Sequence, residues 1–168
     1  MTDVTLRAAV PADAPALTAV FVAARRPMTY LPVLHTDDQT VRFLSDLLCT
    51  ATVQVAERRG IVLGFAAVRA SWLEHLYVHP SAQGRGVGRR LIAWAQQTAP
   101  AGLDLWVFQR NTRARALYEA HGWRLVALTD GAANEEGQPD AHLRWAPPPA
   151  DRTGAAFKAG ATSAEAAL

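Results

Sequence analysis

The chain has 168 residues and a formal net charge of +2, with half its residues hydrophobic and 19% charged. That length suits one domain with a real core plus a tail. The balance is globular rather than disordered, and so small a charge gives no ground for nucleic-acid binding. The single cysteine, Cys49, excludes an internal disulfide and fits a reducing interior. No apolar run reaches the roughly 18 residues needed to cross a bilayer, and Met1 to Arg7 lacks the charged and apolar regions of a signal peptide. The expectation is a cytoplasmic protein with no membrane partner and no nucleic-acid partner.

In chain order, Val4 to Ala8 reads as a strand. Leu17, Val20, Phe21 and Ala24 then recur at helical spacing, with Asp13 as the candidate N-cap. Arg26 to His35 holds two prolines and no helical period, so it is a loop, and an apolar one. Thr36 and Gln39 form a capping box ahead of a second helix whose apolar face carries Val41, Phe43, Leu44, Leu47 and Leu48. Thr52 to Glu57 and Ile61 to Arg69 make a hairpin turned at Arg59-Gly60. Trp72 to His79 is the next strand, Val87 to Thr98 a third helix, and Leu103 to Phe108 an apolar strand. Asn111 caps a fourth helix that ends at His121 and Gly122. Trp123 to Leu128 and Ala141 to Trp145 close the order as a hairpin around a long acidic loop, Thr129 to Asp140. Residues 1–146 form the expected domain; 147–168 begin with three prolines and continue as an Ala-rich tail. The order β-α-α-β-β-β-α-β-α-β-β implies a mixed α/β sheet, parallel where the 72–108 unit crosses over.

The most informative segment is Leu76-Tyr-Val-His-Pro80 followed by Gln83-Gly-Arg-Gly-Val-Gly88. A strand ends, three alternating glycines free the backbone, and a helix begins. N–H groups crowded at such a helix start suit a phosphate or pyrophosphate. A P-loop would need Lys-Ser or Lys-Thr after the glycines, and none is present. A dinucleotide fingerprint would place its third glycine where Arg89 stands, and Asp104 starts its strand instead of ending it. Arg85, Arg89, Arg90 and Arg113 put positive charge near the loop.

The segment resembles the Q/R-x-x-G-x-G/A signature of the GNAT acyltransferases, the Gcn5-related N-acetyltransferases. Leu76-Tyr-Val-His-Pro80 is similar to the family strand that enters the loop. Leu105-Trp-Val107, Asn111, Ala114, Ala116-Leu-Tyr-Glu119 and Gly122-Trp123 are similar to its second cofactor motif. The likeness covers roughly residues 3–146. It implies a mixed, mostly antiparallel central sheet flanked by helices, with splayed strands forming a coenzyme A cleft.

By that resemblance the protein is an N-acetyltransferase that moves an acetyl group from acetyl-CoA directly to an amine, with no metal. The pyrophosphate would sit on backbone N–H groups of Gln83, Gly84, Arg85, Gly86, Val87, Gly88 and Arg89. The pantetheine arm would pair with Leu76, Tyr77 and Val78, and Asn111 belongs to the same cofactor site. Tyr118, seven residues after Asn111 and so on one helix face with it, is the candidate acid for the leaving thiolate. Glu74 is the candidate base, acting through water, with His75 and His79 as rivals. The acceptor side falls to the apolar loop 26–35, with Tyr30, and to the acidic loop, with Asp130, Glu135, Glu136 and Asp140 able to attract a cation. The acceptor is an amine on a small molecule, peptide or protein. Transfer of a longer acyl group, a non-catalytic coenzyme A sensor, and a homodimer all stay open.

Overall fold

The computed structural model describes residues 4–149. Seven strands form one sheet in the order β1-β2-β3-β4-β5-β7-β6. They are β1 Thr5–Ala8, β2 Thr52–Arg58, β3 Ile61–Arg69, β4 Trp72–Val78, β5 Leu103–Phe108, β6 Arg124–Leu128 and β7 Asp140–Trp145; the helices are α1 Ala14–Arg25, α2 Asp37–Thr50, α3 Val87–Thr98 and α4 Thr112–Ala120. No helix among the described residues is long and apolar enough to cross a membrane. The expected tail from 147 falls almost wholly outside the described residues.

Two cores lie on opposite faces of the sheet. On one face Val87, Leu91, Ile92 and Ala95 of α3 meet Leu73, Leu103, Leu105 and Leu143, with Tyr118 and Trp123 beside them. On the other, Leu17 and Val20 of α1 and Leu44 and Leu47 of α2 meet Val53, Val55, Phe65 and Ala67. β3 feeds both cores, Ala66 and Val68 one way and Phe65 and Ala67 the other. That double burial is why β3 reads as an apolar run instead of an alternation. Phe65 is fully buried, a side chain worth about 1.5–3 kcal/mol of transfer free energy.

The local chemistry expected at most boundaries is present. Thr36 Oγ1 accepts from Gln39 N at 3.3 Å, and Gln39 Oε1 accepts from Thr36 N at 2.9 Å. Asn111 accepts from Ala114 N at 3.1 Å. Arg59 and Gly60 both take positive φ, 52° and 77°, in the two-residue hairpin turn. Asp13 is a correction. It precedes α1 but makes no side-chain cap bond. Its carboxylate instead takes a bidentate pair from Arg7, at 2.8 and 2.9 Å, and the Val10 N–H at 2.8 Å. A guanidinium fork outcompetes an amide for a carboxylate, and it holds the Asp13 carboxyl below the usual range.

The functional architecture turns on β4. Against β3, Leu73 pairs with Val68 and His75 with Ala67, so Glu74 is the extra residue of a β-bulge. A bulge bends and twists its strand. Beyond it β4 leaves β5: the two parallel strands register only at Trp72 and Asp104. From His75 to Val78 the edge of β4 facing β5 has no strand partner. β5 itself continues against β7 over its whole length, Leu103–Phe108 opposite Asp140–Trp145.

Candidate active site

The split between β4 and β5 opens into a cleft of about 770 Å³ that passes through the sheet. Leu76, Val78 and Tyr118 line it from the α3 and α4 side. Tyr30, His75 and Tyr77 line it from the α1 and α2 side. All three tyrosines of the chain therefore meet at one cleft.

The glycine loop forms one mouth. Gly84 and Gly86 have φ of 73° and 81°, a left-handed backbone that glycine adopts at little cost. Among the described residues, the N–H groups of Gly84, Arg85, Gly86, Val87, Gly88 and Arg89 find no acceptor. The first helical bond runs from Arg90 N to Gly86 O at 3.1 Å. Six donors at a helix start, with the positive end of the helix dipole behind them, suit an anion. Gly88 is needed for a different reason: a Cβ there would lie 3.2 Å from Leu117 Cδ2. α3 thus approaches α4 closely enough to keep the loop at the cleft.

Side chains sort the loop arginines. Arg113 donates to Gln83 Oε1 at 2.8 Å and lines the cleft. Arg89 folds over Gly86. Arg85 and Arg90 line a separate small hollow together with Val87 and Val4, and Arg90 donates to the Val4 carbonyl. Arg85 and Arg90 therefore do not face the cleft, and Arg113 is the phosphate candidate that does. Gln83 also donates to the Val78 carbonyl at 3.0 Å.

Asn111 and Tyr118 line the cleft at the head and tail of α4. Tyr118 is buried, and burial, with Tyr77 nearby, pushes its phenol well above the ordinary tyrosine value. It is a protonated donor at neutral pH. Glu74 lines the same cleft from the bulge, paired with Arg69 at 3.2 Å. His75 sits beside it between the rings of Phe43 and Tyr77. Burial, with Arg25 and Arg69 nearby, lowers its imidazole to about 4, so it is neutral at pH 7. His79 lies elsewhere, its Nδ1 within 2.8 Å of the Ser81 hydroxyl.

The acceptor side differs from a simple acidic attractor. Glu135 pairs with His35 at 2.7 Å and Glu136 with Arg25 at 2.8 Å. These contacts tie the acidic loop to the end of α1 and to the loop after it, roofing the cleft, and Arg25 neutralises Glu136. Tyr30 is held in that roof by Arg110, 4.8 Å over its ring, and by Phe108, 6.1 Å away. Burial raises its phenol above the ordinary value. Sequence reasoning missed Arg25, which reads as the last turn of an amphipathic helix, and Trp106, which reads as one more apolar residue of β5. The alternation of Leu105 and Val107 against Trp106 carried the signal that this indole faces away from the core.

Comparison with known proteins gives a consistent result. Residues 49–125 match the acetyltransferase (GNAT) domain. Over 80 residues the chain is 36% identical to the peptidyl-lysine N-acetyltransferase YiaC of Escherichia coli strain K12, covering 47% of this chain and 54% of that protein. The chain thus spans about half the length of this curated relative. The apo form of YjaB from Escherichia coli superposes with a TM-score of 0.72 at 20% identity, over 87% of this chain and 99% of that one. The structure of yncA from Salmonella typhimurium with its cofactor acetyl-CoA superposes with a TM-score of 0.66 at 22% identity, over 85% and 93%. The fold of the described residues is the one these structures share, and the segment that carries the bulged strand, the glycine loop and α4 is the part that matches the GNAT acetyltransferase domain.

Proposed function

We propose that the protein is an N-acetyltransferase that takes an acetyl group from acetyl-CoA and passes it directly to an amine. The observation that carries this reading is the row of six unpartnered N–H groups at the mouth of a cleft through a split sheet. A diphosphate needs several donors in one place. An extended arm with amide groups needs an open strand edge, and β4 has one from His75 to Val78. The groups present therefore fit the co-substrate at both its phosphate and its pantetheine end. The name of YiaC adds that a relative acts on peptidyl lysine, and yncA was solved with acetyl-CoA.

The co-substrate would supply a thioester carbonyl and a thiolate leaving group. The residues supply the rest. Gln83 to Arg89 hold the phosphates and fix the register along β4. A backbone N–H near Val78 polarises the carbonyl oxygen. Glu74, on the bulge, receives the proton of the incoming ammonium through water, since an ordinary primary amine near pKa ~10.4 is charged at neutral pH. Tyr118, kept protonated by burial, donates to the departing sulfur.

The test is an acetyl-CoA consumption assay over grouped amines, read beside calorimetric binding of coenzyme A. Turnover with one group, reduced in Glu74→Gln and Tyr118→Phe, supports the reading. Tight coenzyme A binding with no turnover on any amine would replace it with a sensor.

A further inference from the structure

The carboxylates of the acidic loop are mostly committed within the protein. Glu136 has its cation in Arg25, Glu135 is paired with His35, and Asp130 takes the Ala132 N–H at 2.9 Å. Asp140 differs. It is 9% exposed and lines the cleft. It accepts from the Thr129 hydroxyl and from Asn134 Nδ2 at 3.0 Å. No Lys, Arg or His nitrogen pairs with it among the described residues. A buried carboxylate held by neutral donors alone is costly until a cation arrives. A second unpartnered polar group lines the same cleft. The Tyr30 hydroxyl is buried with no hydrogen-bond partner, and its ring packs on Phe108, whose register partner is Asp140.

Glu74 and Asp140 bracket the acceptor side. β5 lies between their strands, and β4 splays away from it at Glu74. The floor between them is aromatic, made by Trp106 and Phe108. Trp106 is 49% exposed. It is held rigidly, its ring 5.0 Å from His142, which stacks in turn on Trp72 at 5.4 Å. His142 is itself fixed by Asp104 at 2.6 Å.

The reacting nitrogen must lose its proton, and a buried carboxylate pressed against it would hold that proton on. Asp140 therefore suits a charge that does not react. We propose that the acceptor carries a second positive charge, set apart from the reacting nitrogen by an apolar stem, and that Asp140 anchors it. The stem lies on Trp106 and Phe108 while the reacting amine faces Glu74. The substrate class is a dication: a free diamine, or a peptide lysine with a basic neighbour. This rests on the N-acetyltransferase reading and narrows it.

The test compares kcat/KM for diaminopentane and pentylamine, and for capped dipeptides Lys-Arg and Lys-Gln, in the wild type, D140N and N134A. The wild type should favour the dication of at least one pair by roughly tenfold or more; the pair that responds identifies the source. D140N should abolish that preference and leave the KM for acetyl-CoA unchanged. N134A loosens the loop but keeps the charge, and should retain the preference. Equal use of both members of both pairs by the wild type overturns the proposal. So does a D140N loss that is the same for mono- and dications, which would confine Asp140 to holding the loop. If no amine is turned over, the enzyme reading fails separately. Thermal-shift binding with coenzyme A present then decides: stabilisation by diaminopentane over pentylamine, lost in D140N, supports the anchor, and its absence overturns it.

Discussion

Gln83 donates its side-chain amide to the Val78 carbonyl at 3.0 Å and so fixes the end of β4 to the start of the glycine loop. The same side chain accepts from Arg113 of α4 at 2.8 Å. One residue thus joins the strand edge, the glycine loop and the helix that carries Tyr118. A typical hydrogen bond contributes about 1 kcal/mol net. Gln83→Leu keeps the bulk and removes both bonds. Coenzyme A affinity should fall roughly five- to tenfold by calorimetry, while kcat at saturating acetyl-CoA changes little. Unaltered affinity would show that the loop keeps its shape without this brace.

Tyr118 should act on kcat alone. Burial raises its phenol, so it stays protonated through neutral pH and serves as a donor. Tyr118→Phe preserves the ring that packs at 5.5 Å on Trp123, so the fold should persist. A lost general acid lowers kcat by about 100-fold or more, with the KM for acetyl-CoA nearly constant. A variant with wild-type kcat would return Tyr118 to the core as an ordinary tyrosine.

Gly88 tests the contact that keeps α3 against α4. Its Cβ position lies 3.2 Å from Leu117 Cδ2 and 3.8 Å from Val78 Cγ2. Gly88→Val adds two branches to that gap, and overpacking of this kind costs about 1–3 kcal/mol. Thermal melts should shift down by several degrees, and coenzyme A should bind more weakly as the helices separate. Gly60 is the control: a Cβ there meets nothing within 4 Å, so Gly60→Ala should show only the modest strain of its positive φ, with cofactor affinity unchanged.

The strands, helices and glycine loop were legible because their signals are local. Capping side chains, glycine spacing and apolar period each act within a few residues. The legible part ends where a side chain chooses among distant partners. Asp13 sits at the expected cap position, yet Arg7 of β1 takes its carboxylate. Glu135 and Glu136 stand in an acidic loop, yet His35 and Arg25, a hundred residues or more earlier, take them as partners. The bulge at Glu74 is equally hidden: an extra residue shows only in pairing, and Trp72-Leu-Glu-His-Leu-Tyr-Val78 reads simply as one strand. That bulge matters most, since it detaches β4 from β5 and puts Glu74 in the cleft.

His75 makes a separate prediction for stability against pH. Its imidazole is lowered from 6.5 to about 4, by burial first and by Arg25 and Arg69 second. A histidine depressed in the folded state contributes stability that is complete above its unfolded value, near 6.5. That contribution is lost as pH falls through about 4, because the unfolded chain binds the proton first. A shift of this size corresponds to about 3 kcal/mol across that window. Asp104 behaves differently. Burial raises it, but hydrogen bonds from Arg144 and His142 outweigh burial and hold it below the ordinary carboxylate value, so its loss starts only below about 4. The two windows separate. His75→Phe can keep the edge contact with Phe43 and the stacking with Tyr77. In urea titrations taken every half unit of pH, it should flatten the slope between 6.5 and 4 and leave the steeper acid limb in place. A wild type equally stable at pH 7 and pH 4.5 would mean the ring is hydrated and titrates as it does in the unfolded chain.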